Sequence, residues 1–385
     1  MRVTLDFSAG VNVPAGLGRY ARSLTHALLP HLSPQLFYNV IPGRSQLPAE
    51  FSHLRRSTLR VGYKPWRMAV WAGQMMHLPF NRLLPETDLF HATEHLLLPL
   101  DGLPSVMTVH DLIFKLFPEH HKRLNYWFLN GAMPLFVKRA DAIITISEAT
   151  RRDLISHYGT PPEKITVIYE AAAPQFRPPT PAQVEAARAR YSLPERFVLL
   201  VGTIEPRKNY ARLLEALVEV RRALPNLHLV VVGSKGWLYE PFFAQIEALG
   251  APGWVHFPGF VPDADLPAVY GAASVLAMPS LYEGFGLPIL EAMACGVPVV
   301  SSQAASLPEL GGEAARYFNP LDTEQMADAL LAVLRNAEEH AAMRAAGPPQ
   351  AARFSWERTA HETLALYQRV LASHARLGGD SRKTE

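Results

Sequence analysis

In the last third of the chain, LYEGFGLPILEAMACGVPVV sets two carboxylates, Glu283 and Glu291, eight positions apart, with Gly284 and Gly286 beside the first. A helix is expected to start at Pro288, which suits the first helical position, where the N–H it lacks would have no partner anyway. A backbone cleared by glycine at a helix N-terminus can offer its amides to an anion. Two acids flanking that start can accept hydrogen bonds from two sets of hydroxyls on one extended ligand, while the amides from Phe285 to Leu287 face its phosphates. Singly, each acid has a plainer reading: Glu283 as a turn residue and Glu291 as a first-turn acid favoured by the helix dipole. Arg207 and Lys208, in FVLLVGTIEPRKNYARLLEAL, enter another helix at its N-terminus, where cations oppose the dipole unless an anion sits between. A phosphate would supply that anion. A surface pair of Arg207 with Glu205 is the competing reading.

Other candidates are weaker alone. His110 before Asp111 reads as a strand-end turn with an Asp cap, and Gly16-x-Gly18 before a helix is also an ordinary turn signal. Cys295, the single cysteine, reads as a small core residue and has no disulfide partner in the chain. No Cys/His spacing matches a zinc site, and neither a metal nor a cofactor is expected.

These residues need a scaffold. A chain of 385 residues exceeds one ordinary core, so two domains of roughly 150 to 200 residues are expected. Apolar runs that read as strands alternate with helical patterns: RVTLDF, LFYNVI, TDLFHAT, SVMTVHD, AIITIS and ITVIY, then again RFVLLVG, LHLVVVG, GWVHFPGF, ASVLAMPS and VPVVSS. LGRYARSLTHALL, SEATRRDLISHY and segments near 322–335 and 355–372 read as helices. Strands this apolar are buried on both faces, which implies parallel sheets covered by helices and ligands at their carboxyl ends. Pro174, Pro178, Pro179 and Pro181 predict a linker without regular structure. The expected division is therefore 1–175, a linker at 176–195, a second domain at 196–354, and a returning C-terminal helix with a frayed tail at 355–385.

The first ten residues read as a strand and not as a leader, and no apolar run approaches the roughly 20 residues of a membrane span. The expected setting is a reducing cytoplasm. Net charge is +2 but uneven: residues 1–175 hold 18 Lys+Arg against 13 Asp+Glu, and the remainder 19 against 22. No nucleic-acid partner is expected. Residues 53–84 contain Arg55, Arg56, Arg60, Lys64, Arg67 and Arg82 with no acid, interleaved with Trp66, Met68, Val70, Trp71, Met75 and Met76. That pattern suits peripheral docking on an anionic inner-membrane face. The competing reading is an ordinary helix whose aromatics pack inward.

EGFGLPILE resembles the E-x7-E signature of the retaining GT-B glycosyltransferases of family GT4, and VGTIEPRKN is similar to that family's diphosphate loop. AGLGRY, TVHD, ISEATRRDL and HFPGF follow in the family's order, so the resemblance spans nearly the whole chain. It implies two doubly wound Rossmann-like α/β domains facing a cleft, an acceptor on the first and a nucleotide-sugar donor on the second. Arg207 and Lys208 would hold the diphosphate beside Gly202 and Thr203, and Glu283 would bind hydroxyls of the transferred sugar. Gly284 and the amides of Phe285, Gly286 and Leu287 would meet sugar and phosphate, and Glu291 the ribose. Gly259, Phe260 and Val261 would form the base slot. His110 would approach the sugar from the first domain, with Gly16 and Gly18 admitting phosphate and acceptor. The implied reaction is retaining transfer of a hexosyl group to a hydroxyl of a saccharide or lipid-linked saccharide, the leaving phosphate taking the acceptor's proton. EPRKN with HDLIFKLFPE resembles most the subgroup that transfers mannose from GDP-mannose. Two departures stand out: Ala15 where the family often has glycine, and EAAAPQF where a Gly-Val-Asp turn is common. A non-hydrolysing sugar-nucleotide epimerase and a non-catalytic sugar-nucleotide sensor are the alternatives, to be separated by product analysis with and without acceptor and by donor hydrolysis.

Overall fold

The computed structural model describes residues 1–13, 16–120 and 123–380. The chain divides into two compact units: Met1–Leu116, His121–Glu170 and Trp356–Glu385 form one, and Phe117–His120 with Ala171–Ser355 the other.

The first unit holds a seven-stranded sheet of β1 (Val3–Asp6), β2 (Gln35–Asn39), β3 (Arg56–Leu59), β4 (Leu89–Ala92), β5 (Ser105–Val109), β6 (Ala142–Thr145) and β7 (Ile165–Val167). Their order is β3-β2-β1-β4-β5-β6-β7, and the pairings are parallel. The second unit holds β8 (Phe197–Val201), β9 (His228–Val232), β10 (Val255–His256), β11 (Val275–Met278), β12 (Val299–Ser302) and β13 (Ala315–Phe318), ordered β10-β9-β8-β11-β12-β13 and again parallel. The direction of winding reverses between β1 and β4 and between β8 and β11. In such sheets the crevice for a ligand opens at that reversal, beyond the carboxyl ends of the strands. Residues buried on both faces, such as Val198, Leu199, Val230, Val275 and Val300, account for the continuous apolar runs.

Several expectations need correction. Residues 181–191 of the expected linker form a helix, Pro181–Tyr191, because Thr180 and Gln183 build a capping box and Pro181 sits where a helix tolerates proline. The strand expected in GWVHFPGF is only Val255–His256, since Pro258 and Gly259 (φ +80°) end it. β3 and β13 escaped the apolar pattern because both are edge strands with half-exposed residues, RSTL and ARYF. The helix at the E-x7-E stretch begins at Leu287, with Gly286 as its N-cap.

The basic segment 53–84 supplies β3 and the helix Tyr63–Met76. Its tryptophans belong to the interior. Trp66 is buried and stacks on Phe80 with 5.8 Å between ring centroids. Trp71 meets Phe128 edge-on at 6.0 Å, over Gly131. Among the described residues no helix is long and apolar enough to cross a membrane.

Candidate active site

In the second unit, the loops that leave β8 and β11 at the reversal point are joined. Asn209, in a left-handed conformation at the start of the helix Tyr210–Ala223, donates its side-chain amide to the carbonyls of Pro279 (3.0 Å) and Pro320 (2.7 Å). The Leu281 N–H donates to the Arg207 carbonyl at 2.9 Å. On the other side the β8 and β9 loops touch: Ile204 N–H donates to Ser234 O at 3.0 Å and Gly236 N–H to Ile204 O at 3.1 Å. A Cβ on Gly233 would fall 1.9 Å from the Gly202 carbonyl oxygen, so only glycine permits that approach.

This framework brings Arg207, Lys208 and Glu283 into direct contact. Glu283 Oε1 accepts from Lys208 Nζ at 2.7 Å and from the Ser280 hydroxyl at 2.6 Å, while Oε2 lies 2.8 Å from Arg207 Nη1. Arg207 Nη2 also donates to Glu205 Oε1. All four charged residues are buried, so the Arg207–Glu205 pair exists, but as part of an interior cluster and not on the surface. Burial pushes the Glu283 carboxyl up; the two cations, with the hydrogen bonds from Lys208 and Ser280, overcome this and hold its pKa at about 2. Burial wins at Glu205, whose pKa is raised despite Arg207 and Lys208. The cluster is thus a pre-assembled pair of cations with one firmly ionised acid.

Beyond Glu283 the buried Gly284 and Phe285 lead to Gly286, whose φ of +119° favours glycine and whose added Cβ would lie 2.7 Å from Leu307. The Ser306 hydroxyl bridges the Glu283 carbonyl (2.8 Å) and the Phe285 carbonyl (2.5 Å), fixing this turn. The helix Leu287–Ala294 follows, its first amides directed at whatever precedes it. Glu291 stands apart from the cluster: it is buried one turn in, and Oε2 accepts from the Tyr270 hydroxyl at 2.7 Å. After β10, Gly259 and Phe260 are exposed, Phe260 at 87%, while Val261 is buried. Gly202 (φ +143°) and Thr203 line the β8 loop, with Lys208 and Tyr210 about 3.5 Å from where a Gly202 Cβ would stand.

In the first unit, Gly16 (φ +54°) is the N-cap of the helix Leu17–Leu28, and a Cβ on Gly18 would lie 1.8 Å from the Val13 carbonyl. Ala15 lies outside the described residues. His110, just beyond β5, is buried: its ring Nε2 is 2.9 Å from the Thr93 carbonyl, Nδ1 is 3.4 Å from Glu170 Oε1, and Tyr20 meets the ring edge-on. At the reversal point itself, Asp6 ends β1 and Glu94 follows β4, both buried. Asp6 Oδ1 accepts the Ser8 N–H at 2.9 Å and Glu94 Oε2 the Tyr63 hydroxyl at 3.3 Å. Asp6 Oδ2 and Glu94 Oε1 have no hydrogen-bond partner among the described residues. Burial raises both pKa values, and at Asp6 repulsion from Glu94 adds to it, bringing Asp6 to about 7.

Sequence reading missed Ser280, Ser306, Tyr270, Asn209, Gly233, Glu170, Asp6 and Glu94. Asp6, Ser280 and Glu94 carried one usable signal, a polar residue at or just beyond the end of an apolar strand. Glu170, just after the ITVIY run, carried the same signal but not its partner, 60 positions away, and Tyr270 carried none, its partner lying 21 positions away.

The chain matches the family described as "Glycosyl transferases group 1" over residues 184–349 and "Glycosyltransferase Family 4" over residues 14–175. It is 35% identical over 269 residues to O-antigen chain mannosyltransferase B of Escherichia coli, covering 69% of this chain and 70% of the relative. It is 31% identical over 373 residues to a D-inositol 3-phosphate glycosyltransferase of Segniliparus rotundus, covering 88% and 76%. Sucrose-phosphate synthase from Thermosynechococcus elongatus shares the fold, with a TM-score of 0.79 at 21% identity over 97% of this chain and 100% of that one. The chain therefore belongs to the group 1, family 4 glycosyltransferases and is a hexosyltransferase of GT-B fold.

Proposed function

We propose that this enzyme transfers mannose from GDP-mannose, with retention of anomeric configuration, to a hydroxyl of a saccharide or lipid-linked saccharide. The observation that carries the reading is the buried Arg207–Lys208–Glu283 cluster beside a glycine-capped helix start. The choice of mannose rests on the likeness to a mannosyltransferase. In this reading the donor's diphosphate takes over Arg207 and Lys208, and Glu283, released from them, accepts hydrogen bonds from the sugar hydroxyls. As the sugar–phosphate bond lengthens, negative charge grows on the diphosphate, and fixed cations and helix-start amides stabilise it. The leaving phosphate oxygen accepts the proton of the acceptor hydroxyl on the same face. Glu291 binds ribose by exchanging its bond from Tyr270.

Incubation with GDP-mannose, UDP-glucose and ADP-glucose, with and without mannosyl oligosaccharides, tests the reading by nucleoside diphosphate release and NMR of the product anomer. Release from GDP-mannose with an α-linked product supports it. Release only from another donor, or an inverted anomer, overturns the corresponding part. A thermal-shift panel gives an independent check, since a nucleotide at 100-fold excess over its dissociation constant stabilises by roughly 2.7 kcal/mol.

The acceptor unit's docking surface is proposed on part of the basic segment 53–84, without its tryptophans, together with residues of a neighbouring helix. Trp66 and Trp71 pack inward, while Met68, Met75, Met76 and Leu78 are exposed, as are Leu124 and Trp127 of the neighbouring helix Arg123–Arg139. The two helices meet where Arg67 lies over Phe128, 4.0 Å from the ring centroid. Exposed Arg60, Lys64 and Arg123 complement an anionic bilayer. Cosedimentation with phosphatidylglycerol vesicles at low and high salt, for wild type and a Leu124→Asp, Trp127→Asp variant, tests it. Wild type remaining in the supernatant at low salt points to a soluble acceptor.

A further inference from the structure

The hydrogen-bond partners of His110 fix where its protons are. Nε2 faces the Thr93 carbonyl at 2.9 Å, an atom that can only accept, so Nε2 carries a proton. Nδ1 faces Glu170 Oε1 at 3.4 Å. If the imidazole were neutral, Nδ1 would turn a lone pair toward a carboxylate lone pair, so a proton belongs between them. Imidazole is ordinarily a stronger base than a carboxylate by about two pK units, which places that proton on the ring.

We propose that Glu170 is a positioning residue that holds His110 as an imidazolium, so that His110 acts in transfer as a donor and fixed positive charge and not as the base that deprotonates the acceptor. This rests on the transfer reading above. The surroundings agree. Burial disfavours the charged ring, but the Glu170 contact, the Thr93 carbonyl and Asp111 outweigh it, so the His110 pKa is raised. Glu94, after β4, also feels His110, which lowers its pKa, but burial keeps that carboxyl raised. His91, on β4, is bonded to the Tyr367 hydroxyl (2.6 Å) and the Thr108 hydroxyl (2.8 Å), and burial depresses its pKa to about 3, so it brings no competing charge. His95 Nε2 accepts the His110 backbone N–H at 2.9 Å, Thr150 donates its hydroxyl to the His110 carbonyl at 3.1 Å, and the buried Tyr20 phenol has its pKa raised by desolvation. Backbone and ring are thereby held at fixed orientation.

The test combines histidine NMR titration of the full chain with the pH profile of transfer, for wild type, Glu170→Gln and Glu170→Asp. In wild type the His110 ring should remain protonated at pH 7.5, and turnover should fall only as pH rises through its raised pKa. In Glu170→Gln burial is no longer offset by that carboxylate, so the ring should lose its proton well below the wild-type pKa, and turnover at pH 7.5 should drop at least about tenfold and rise again as the pH is lowered. Glu170→Asp should preserve much of the wild-type profile, and nucleotide affinity should not change in either variant. A neutral His110 in wild type at pH 7 overturns the proposal, as does a Glu170→Gln rate lowered equally at every pH. Detection of no transfer with any donor overturns the reaction assigned above while the NMR result still decides the pairing.

Discussion

The two units share one architecture and place opposite kinds of charge at its reversal point. In the second unit the loops beyond β8 and β11 bury two cations against two acids, and Glu283 is ionised with both oxygens engaged. In the first, the ends of β1 and β4 bury two acids, each with one oxygen that has no hydrogen-bond partner among the described residues, and the charges acting on Glu94 are Arg67 and His110, the latter facing Glu170. Arginine and lysine keep their charge across the physiological range; carboxylates with raised pKa values and histidine do not. The second unit therefore holds two fixed positive charges and an ionised Glu283, of which only the Glu205 carboxyl is drawn toward neutrality. The other unit is sensitive to protons. A common fold thus does not impose a common electrostatic design.

The largest effect that could break this contrast is expected for Glu283→Ala. Removing one acid from the buried cluster leaves Arg207 and Lys208 short of a partner, and breaking a buried ion pair this way costs about 3 to 5 kcal/mol. Urea denaturation should show that loss together with loss of sugar transfer. A change near zero would mean that the cluster is more hydrated than its burial indicates.

Lys208→Ala leaves Arg207 on Glu283 and should spare the fold. It should cost roughly 1.5 to 3 kcal/mol of transition-state stabilisation, at least about a tenfold fall in turnover. Wild-type turnover would leave Lys208 a structural partner of Glu283 only.

Asp6→Asn sharpens the other side of the comparison. The folded-state pKa of Asp6 is raised to about 7 from an ordinary value near 4, so the folded chain retains a proton that the unfolded chain releases. Its contribution to stability is complete below the unfolded value and is lost as pH rises toward 7. The wild-type stability curve should therefore fall relative to Asp6→Asn between pH 4 and 7, by at most about 1.4 kcal/mol per pH unit. Parallel curves would show that Asp6 is ionised in the fold at neutral pH.

The smallest effect is expected for Tyr270→Phe. It removes one neutral donor to Glu291 and should change nucleotide affinity by about 0.5 to 1.5 kcal/mol while leaving turnover at saturation intact. Isothermal titration with GDP measures it, and an effect on turnover alone would assign Glu291 to the sugar end and not the ribose.

The amino-acid sequence by itself determined the parallel strands, since apolar runs buried on both faces read the same in isolation as in the fold. It also marked Arg207, Lys208, Glu283 and the glycines at 16, 18, 284 and 286, because backbone conformation, helix dipole and charge act within a few residues of chain. Edge strands β3 and β13 and the helix Pro181–Tyr191 were hidden by local signals that are ambiguous without their neighbours: half-exposed residues in the strands, prolines before the helix. Only tertiary structure could decide that Glu205 and Arg207 are interior, that Glu291 is held by Tyr270, and that Glu170 meets His110. It also decided that Trp66 and Trp71 face inward while Met68 and Trp127 face out. Each of these depends on side chains brought together from distant positions, where desolvation and a partner's geometry fix charge and exposure, and one-dimensional order contains neither.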